Sequence, residues 1–264
     1  MTHADTQALI TGGAQGLGYA CAEALIAEGC RALVLADRNV AAGEAAAQRL
    51  SAETDAEVSF QAVEMSDVAS VTAMVNAAAA RMGRVTALVN AAADCGRGSI
   101  LDTTPEVWSR IMATNATGPF FALQRFAQLA IDAGHPAGCV NILSIVVHGG
   151  LPVLAPYGAS KAALLYTTKN AAAALARHRI RVNAINVGWM DTPAEDRTQR
   201  EIHGRPEGWL AEVEREMPFG QLVKPWEVAA QVALFLSPRS GVVTGSVLDF
   251  DQQVVGAYPD TDDV

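Results

Sequence analysis

Seven short runs of continuous hydrophobicity, at 8–11, 32–36, 58–63, 87–90, 139–143, 181–186 and 246–250, alternate with alanine-rich stretches of helical length. Strands that are apolar in succession, rather than at every second residue, are buried on both faces. Strand–helix–strand repeated in this way gives a parallel sheet with right-handed crossovers and helices on both sides. The punctuation agrees. Gly29, Gly83 and Gly134 fall where helices should stop, and Asp67 and Thr104 fall where they should start, with Pro105 suited to a first helical turn. The chain is expected to fold as one α/β domain over 1–264: a doubly wound, seven-stranded parallel sheet.

Composition narrows the function. Of 264 residues, 50% are apolar and 18% charged, which excludes a disordered chain. Lys plus Arg number 19 against 28 Asp plus Glu, a net charge of -9, so neither nucleic acid nor an anionic membrane is an expected partner. Cys21, Cys30, Cys95 and Cys139 form no CxxC pair and have no His at ligand spacing, so no metal is expected and all four read as small buried thiols. The N-terminus lacks the basic and apolar regions of a signal peptide. The longest run without Asp, Glu, Lys or Arg, 133–160, is interrupted by Gly149, Gly150, Pro152 and Pro156, unlike a membrane helix. The expectation is a soluble, cytoplasmic protein. Residues 189–221 are polar and proline-bearing, as a functional lid would be. The acidic tail at 260–263 is expected in solvent.

The first strand runs directly into Thr11-Gly12-Gly13-Ala14-Gln15-Gly16-Leu17-Gly18, which opens a helix. Such a turn brings backbone close to a diphosphate, whose charge rests on unbonded helix N–H groups, as in a Rossmann-type dinucleotide site. Asp37 follows Gly18 by 19 residues and ends the second strand, where a carboxylate can accept from ribose hydroxyls and repel a 2′-phosphate. NAD is therefore expected over NADP, although Arg38 lies beside it.

Tyr157 and Lys161 are one helical turn apart. An ammonium beside a phenol stabilises the phenolate, and the tyrosine can then exchange a proton with an alcohol or ketone oxygen.

With these residues in view, the chain resembles the classical short-chain dehydrogenase/reductase family over nearly its whole length. The family's Thr-Gly-x-x-x-Gly-x-Gly matches 11–18, and its serine thirteen residues before the tyrosine matches Ser144. Its helix-borne asparagine matches Asn115, and its adenine-contacting acid after the third strand matches Asp67, followed by Val68. Its Asn-Asn-Ala-Gly is matched in part by Asn90-Ala91-Ala92-Ala93. The resemblance implies catalysis by Asn115, Ser144, Tyr157 and Lys161. Tyr157 would be the acid/base, Lys161 would lower its pKa and bind the nicotinamide ribose, Ser144 would bind the substrate oxygen, and Asn115 would hold a water linking Lys161 to solvent. It further implies cofactor contacts from Gly12, Gln15, Gly16, Leu17, Gly18, Asp37, Arg38, Asp67, Val68, Asn90, Ala91, Tyr157, Lys161, Gly188 and Thr192. The chain departs from the pattern at Ala93 for Gly, at Val187-Gly188 for Pro-Gly, and at Asp251-Gln252-Gln253 for Asp-Gly-Gly.

Residues 1–135 then read as mainly nucleotide-binding, and 136–264 as the catalytic and substrate part. The loops expected at the reacting end offer Asp94, Arg97, His148, Asp191, Glu195, Arg197 and His203 beside Val146, Leu151, Leu154, Trp189 and Met190. That is more polarity than an acyl tunnel needs. The expected substrate is a small polyol or sugar, oxidised at a secondary alcohol and contacted by Asp94, Ser144, His148, Tyr157 and Trp189. The alternatives are an NADPH-dependent 3-oxoacyl-thioester reductase and a non-catalytic NAD-binding sensor. The family commonly pairs its long helices between subunits, so the resemblance also implies a homotetramer.

Overall fold

A computed structural model describes residues 2–257; the expectation for 260–263 lies outside the described residues. The chain runs β1 (Gln7–Thr11), α1 (Gly16–Ala27), β2 (Ala32–Asp37), α2 (Val40–Glu53), β3 (Glu57–Ala62), α3 (Val68–Met82), β4 (Ala87–Asn90), α4 (Pro105–Met112), α5 (Gly118–Asp132), β5 (Ala137–Ser144), α6 (Ala155–Leu175), β6 (Ile180–Val187), α7 (Pro193–Arg197), α8 (Trp209–Glu214), α9 (Pro225–Leu236) and β7 (Val247–Phe250). Each of the seven apolar runs is a strand. They form one parallel sheet in the order β3-β2-β1-β4-β5-β6-β7. The order reverses between β1 and β4, and there the crevice outside the carboxyl ends opens.

Both faces of the sheet are covered. Leu17, Leu25 and Ile26 of α1, Leu50 of α2, and Val228 and Val232 of α9 pack with Ile10, Leu33 and Leu35 on one side. Val71, Met74 and Val75 of α3 and Leu123 and Phe126 of α5 pack with Leu9, Val34 and Leu88 on the other. The sheet residues of each set alternate along β1 and β2, so continuous hydrophobicity resolves into two buried faces. Burial of each such side chain contributes about 1.5–3 kcal/mol.

Local signals set the ends. The Asp67 carboxylate accepts from the Ala69 N–H to cap α3, and Thr104 caps α4 through the Val107 N–H with Pro105 following. Asn39, not Asp37, caps α2. Between α4 and α5 the helix widens into a π-turn at Ala113–Thr117. Pro119 has no N–H to give the carbonyl of Asn115 four residues back, which accounts for the break in the α ladder. About half of the 189–221 stretch is helical. It carries α7, a second π-turn (Thr198–Ile202) and α8, with its own small core of Trp209, Val213 and Leu222. Lys224 fastens its two ends by ion pairs to Asp191 (2.8 Å) and Glu214 (2.6 Å).

The β1–α1 turn is closely packed. Gly12 has φ +68°, and a Cβ on Gly18 would fall onto the Gly12 carbonyl. Gly18→Ala must therefore open the turn, at a cost of about 1–3 kcal/mol. Thermal melting should show a lower midpoint, by about 2–4 °C per kcal/mol. An unchanged midpoint would mean that the turn is slack.

Candidate active site

The crevice is a cavity of about 680 Å³, within the range of small-molecule sites. The Thr11 hydroxyl organises its floor. It donates to the Val89 carbonyl (3.3 Å) and accepts from the N–H groups of Ala91 (3.1 Å) and Ala92 (3.2 Å), tying the exit of β4 to the end of β1. Asn115 makes a second clamp. Its Oδ1 accepts from the Asp94 N–H (2.7 Å), while its Nδ2 donates to the Asp94 carbonyl (2.9 Å) and to Ser160 Oγ (3.0 Å). Ser160 in turn donates to the Tyr157 carbonyl (2.7 Å). The loop after β4 is thus held against the start of α6, where Tyr157 and Lys161 emerge.

Gly12, Gln15, Gly16, Leu17, Gly18, Asp37, Arg38, Ala91, Asp94, Ser144, Tyr157, Lys161, Gly188, Trp189 and Thr192 all line this cavity. The turn fits a dinucleotide diphosphate. Gln15 at the start of α1 makes no side-chain cap, and no acid occupies the first turn, so its N–H groups are available to an anion. Asp37 Oδ1 accepts from the Asn39 N–H (3.0 Å) and Oδ2 from the Ala14 N–H (3.4 Å), which fixes the carboxylate at the rim.

Several expected contacts are absent from the wall. Asp67 and Val68 do not reach it, because Asp67 is turned into its helix cap. Val63, Glu64 and Met65, directly after β3, line it instead. Asn90 is buried inside the sheet, donating to Asn141 Oδ1 (2.9 Å). His148 faces β7, with Nε2 2.9 Å from Asp249 Oδ1 and 3.0 Å from Asn186 Nδ2, and is not part of the wall. Asn115 is likewise behind the wall, fully buried as a clamp. Ala93 needs no left-handed backbone: among the described residues Arg179 is the non-glycine with positive φ.

Cys21, Cys30 and Cys139 are buried, but Cys95 opens into the cavity beside Tyr157. The sequence carried one usable signal for this, its place five residues beyond the end of the short strand β4. Burial raises the Tyr157 phenol well above its ordinary pKa, and Cys95 adds to the rise, against which Ser144 and Arg97 act. The expected acidification by Lys161 is not what this geometry gives. Its ammonium donates to the Ile142 carbonyl (2.8 Å) and lies 5.6 Å from the Tyr157 ring centroid.

Burial also lowers Lys161, from 10.5 to about 8. An unfolded chain therefore binds more protons between these values, so the folded state gains stability as pH rises from about 8 toward 10.5 and lacks that stability below 8. The difference is on the order of 3 kcal/mol. Lys161→Met should be the more stable protein in denaturant melts at pH 7, with the gap closing by pH 10. Parallel pH profiles would show that the ammonium is not desolvated.

The comparisons with known proteins agree with this geometry. A family model described as enoyl-(acyl carrier protein) reductase matches residues 12–252. The NADP-dependent (R)-specific alcohol dehydrogenase of Lentilactobacillus kefiri is 31% identical over 90% of this chain and 92% of that protein. The sorbitol dehydrogenase of Cereibacter sphaeroides is 31% identical over 92% of this chain and 95% of that protein. Among solved structures, levodione reductase matches with a TM-score of 0.88 at 30% identity, over 96% of this chain and 99% of that one. With the glycine turn, the seven-stranded sheet and the Ser–Tyr–Lys wall, these matches make the chain a member of the short-chain dehydrogenase/reductase family, the NAD(P)-dependent oxidoreductases of alcohols and ketones.

Proposed function

We propose that the protein uses NAD to interconvert a secondary alcohol and a ketone in a small polyhydroxylated compound. The observation that carries this reading is one cavity with Asp37 and the glycine turn at one end and Ser144, Tyr157 and Lys161 at the other.

The adenosine end is bounded by Asp37, Arg38 and the residues after β3, with Glu64 in the part first given to Asp67. A fixed carboxylate at Asp37 favours free ribose hydroxyls and repels a 2′-phosphate. The start of α1 would hold the diphosphate, and Thr192, Gly188, Tyr157 and Lys161 would border the nicotinamide. Bound NAD supplies the hydride acceptor. In the oxidative direction, Ser144 would hold the carbinol oxygen and Tyr157, ionised to the phenolate, would take its proton. That transfer requires the phenol to lose the penalty of burial. A Lys161 ammonium swung from the Ile142 carbonyl toward the crevice would compensate the phenolate. Through the Asn115 clamp, the π-turn keeps α6 and the β4 loop in register for this exchange.

A polar reacting end, with Asp94, Arg97, Glu195, Arg197 and His203 near Trp189, supports a hydroxyl-rich substrate over a fatty acyl chain. Similarity to a sorbitol dehydrogenase points the same way. The rival, an NADPH-dependent 3-oxoacyl-thioester reductase, is favoured by the description of the matching family model, and Asp37 speaks against it. Retention of Ser144, Tyr157 and Lys161 speaks against a mere sensor. Residues 1–135 would then serve mainly the nucleotide, and 136–264 the chemistry and the substrate. Exposed Trp108, Phe120 and Tyr166 on α4, α5 and α6 support a homotetramer formed through these helices. Among the described residues no helix is long and apolar enough to cross a membrane, which is compatible with a cytoplasmic enzyme.

Formation of NADH or NADPH over a panel of polyols, sugars and acyl thioesters tests the reading. NAD⁺ should exceed NADP⁺ by about tenfold or more in kcat/KM, and Asp37→Ser should erase that ratio. Faster turnover of 3-oxoacyl thioesters with NADPH would establish the rival. Size-exclusion with light scattering should give four chains, and a monomer would refute the tetramer.

A further inference from the structure

Beside the reacting groups sits a cation that no carboxylate among the described residues answers. Arg97 enters the cavity from the loop after β4. Its backbone is pinned next to α6, because the Gly98 N–H donates to the Val153 carbonyl (3.0 Å) and the Ala155 N–H to the Gly98 carbonyl (3.0 Å). Its Nη1 donates to the Cys95 carbonyl (2.8 Å). Its Nη2 reaches only His203 Nε2 at 3.4 Å, a long contact. Its Nε is shut off from solvent and has no hydrogen-bond partner.

The nearby acids are engaged elsewhere. Asp94 is paired with Arg110 at 2.7 Å. Glu195 accepts from Trp189 Nε1 (2.8 Å) and Gln199 Nε2 (2.6 Å). Among the described residues, no carboxylate lies within ion-pair distance of Arg97. In a protein of net charge -9, an unanswered guanidinium inside the cavity is a site for an anion brought by the ligand. The charge is also close to the chemistry, since it favours ionisation of the Tyr157 phenol.

We propose that Arg97 determines specificity by binding a carboxylate of the substrate a few bonds from the reacting carbinol, so that within the hydroxyl-rich class a small hydroxy acid, or its oxo acid, is preferred to its neutral counterpart. The planar guanidinium offers Nε and Nη2 side by side, the pair that a carboxylate takes with both oxygens. The carboxylate would replace the long His203 contact at Nη2, and only with His203 displaced would its second oxygen come to the enclosed Nε. His203 directly follows the π-turn Thr198–Ile202 and lines the cavity, so filling Arg97 would also bear on how that segment sits. This inference deepens the proposed alcohol chemistry at Tyr157 and rests on it.

Matched pairs test it: gluconate against sorbitol, glycerate against glycerol, and 3-hydroxybutyrate against butane-1,3-diol, each with NAD⁺. The acid should exceed its neutral partner in kcat/KM by about tenfold or more in at least one pair. Arg97→Met should cut the acid at least about tenfold more than it cuts the neutral partner, and Arg97→Lys should keep part of the preference. Calorimetry of the NADH complex with gluconate and with sorbitol gives a readout without turnover. The wild type should bind gluconate more tightly, and Arg97→Met should lose that difference while retaining NADH binding. Equal binding and equal turnover of acid and neutral partner, or equal losses of both in Arg97→Met, would overturn the assignment and leave the alcohol chemistry intact. Binding of gluconate through Arg97 without oxidation of any pair would instead uphold the anion site and count against the proposed reaction.

Discussion

All seven strands point the same way, so every strand exit opens on one edge of the sheet. The rest of the molecule follows from that constraint. The glycine turn leaves β1, Asp37 ends β2, the 91–97 loop leaves β4, Ser144 ends β5 and Gly188 follows β6. Groups far apart in sequence meet because they occupy equivalent places on neighbouring strands. The reversal of strand order between β1 and β4 parts the connections there, and the cavity fills the gap. Two polar clamps, Thr11 at the floor and Asn115 at the side, hold the walls where the sheet no longer does.

The reacting end is built at the expense of stability. A phenol and an ammonium are enclosed together, and burial disfavours the charged form of each. The Ile142 carbonyl satisfies one donor of Lys161 without neutralising it. The surrounding core can sustain the cost because both faces of the sheet are densely apolar.

The sequence was most informative where local rules and the global fold coincide. Continuous apolar runs gave the strands, and the Tyr157–Lys161 spacing follows from helix geometry alone. It was less informative where a side chain had two possible partners. Asp67 could serve adenine or its own helix, and the nearer Ala69 N–H takes it, leaving Glu64 and Met65 at the wall. His148 lies only four residues beyond Ser144, yet Asp249 and Asn186 draw it to the opposite side of the β5–β6 edge. Asn90 ends the expected strand, but its side chain is spent inside the sheet on Asn141 and does not reach the cavity. Cys95 and Arg97 had no motif to mark them. Their significance comes from the loop being folded against α6, a long-range contact that periodicity does not encode.

The account depends on proton exchange at the Tyr157 oxygen. Single-turnover hydride transfer, followed at saturating NAD⁺ with the best alcohol of the panel, addresses it directly when wild type and Tyr157→Phe are compared. The phenylalanine protein should bind NADH as tightly as wild type and transfer hydride about 10²–10⁴-fold more slowly, the usual contribution of a positioned acid/base. Transfer at a rate near that of wild type would contradict the account.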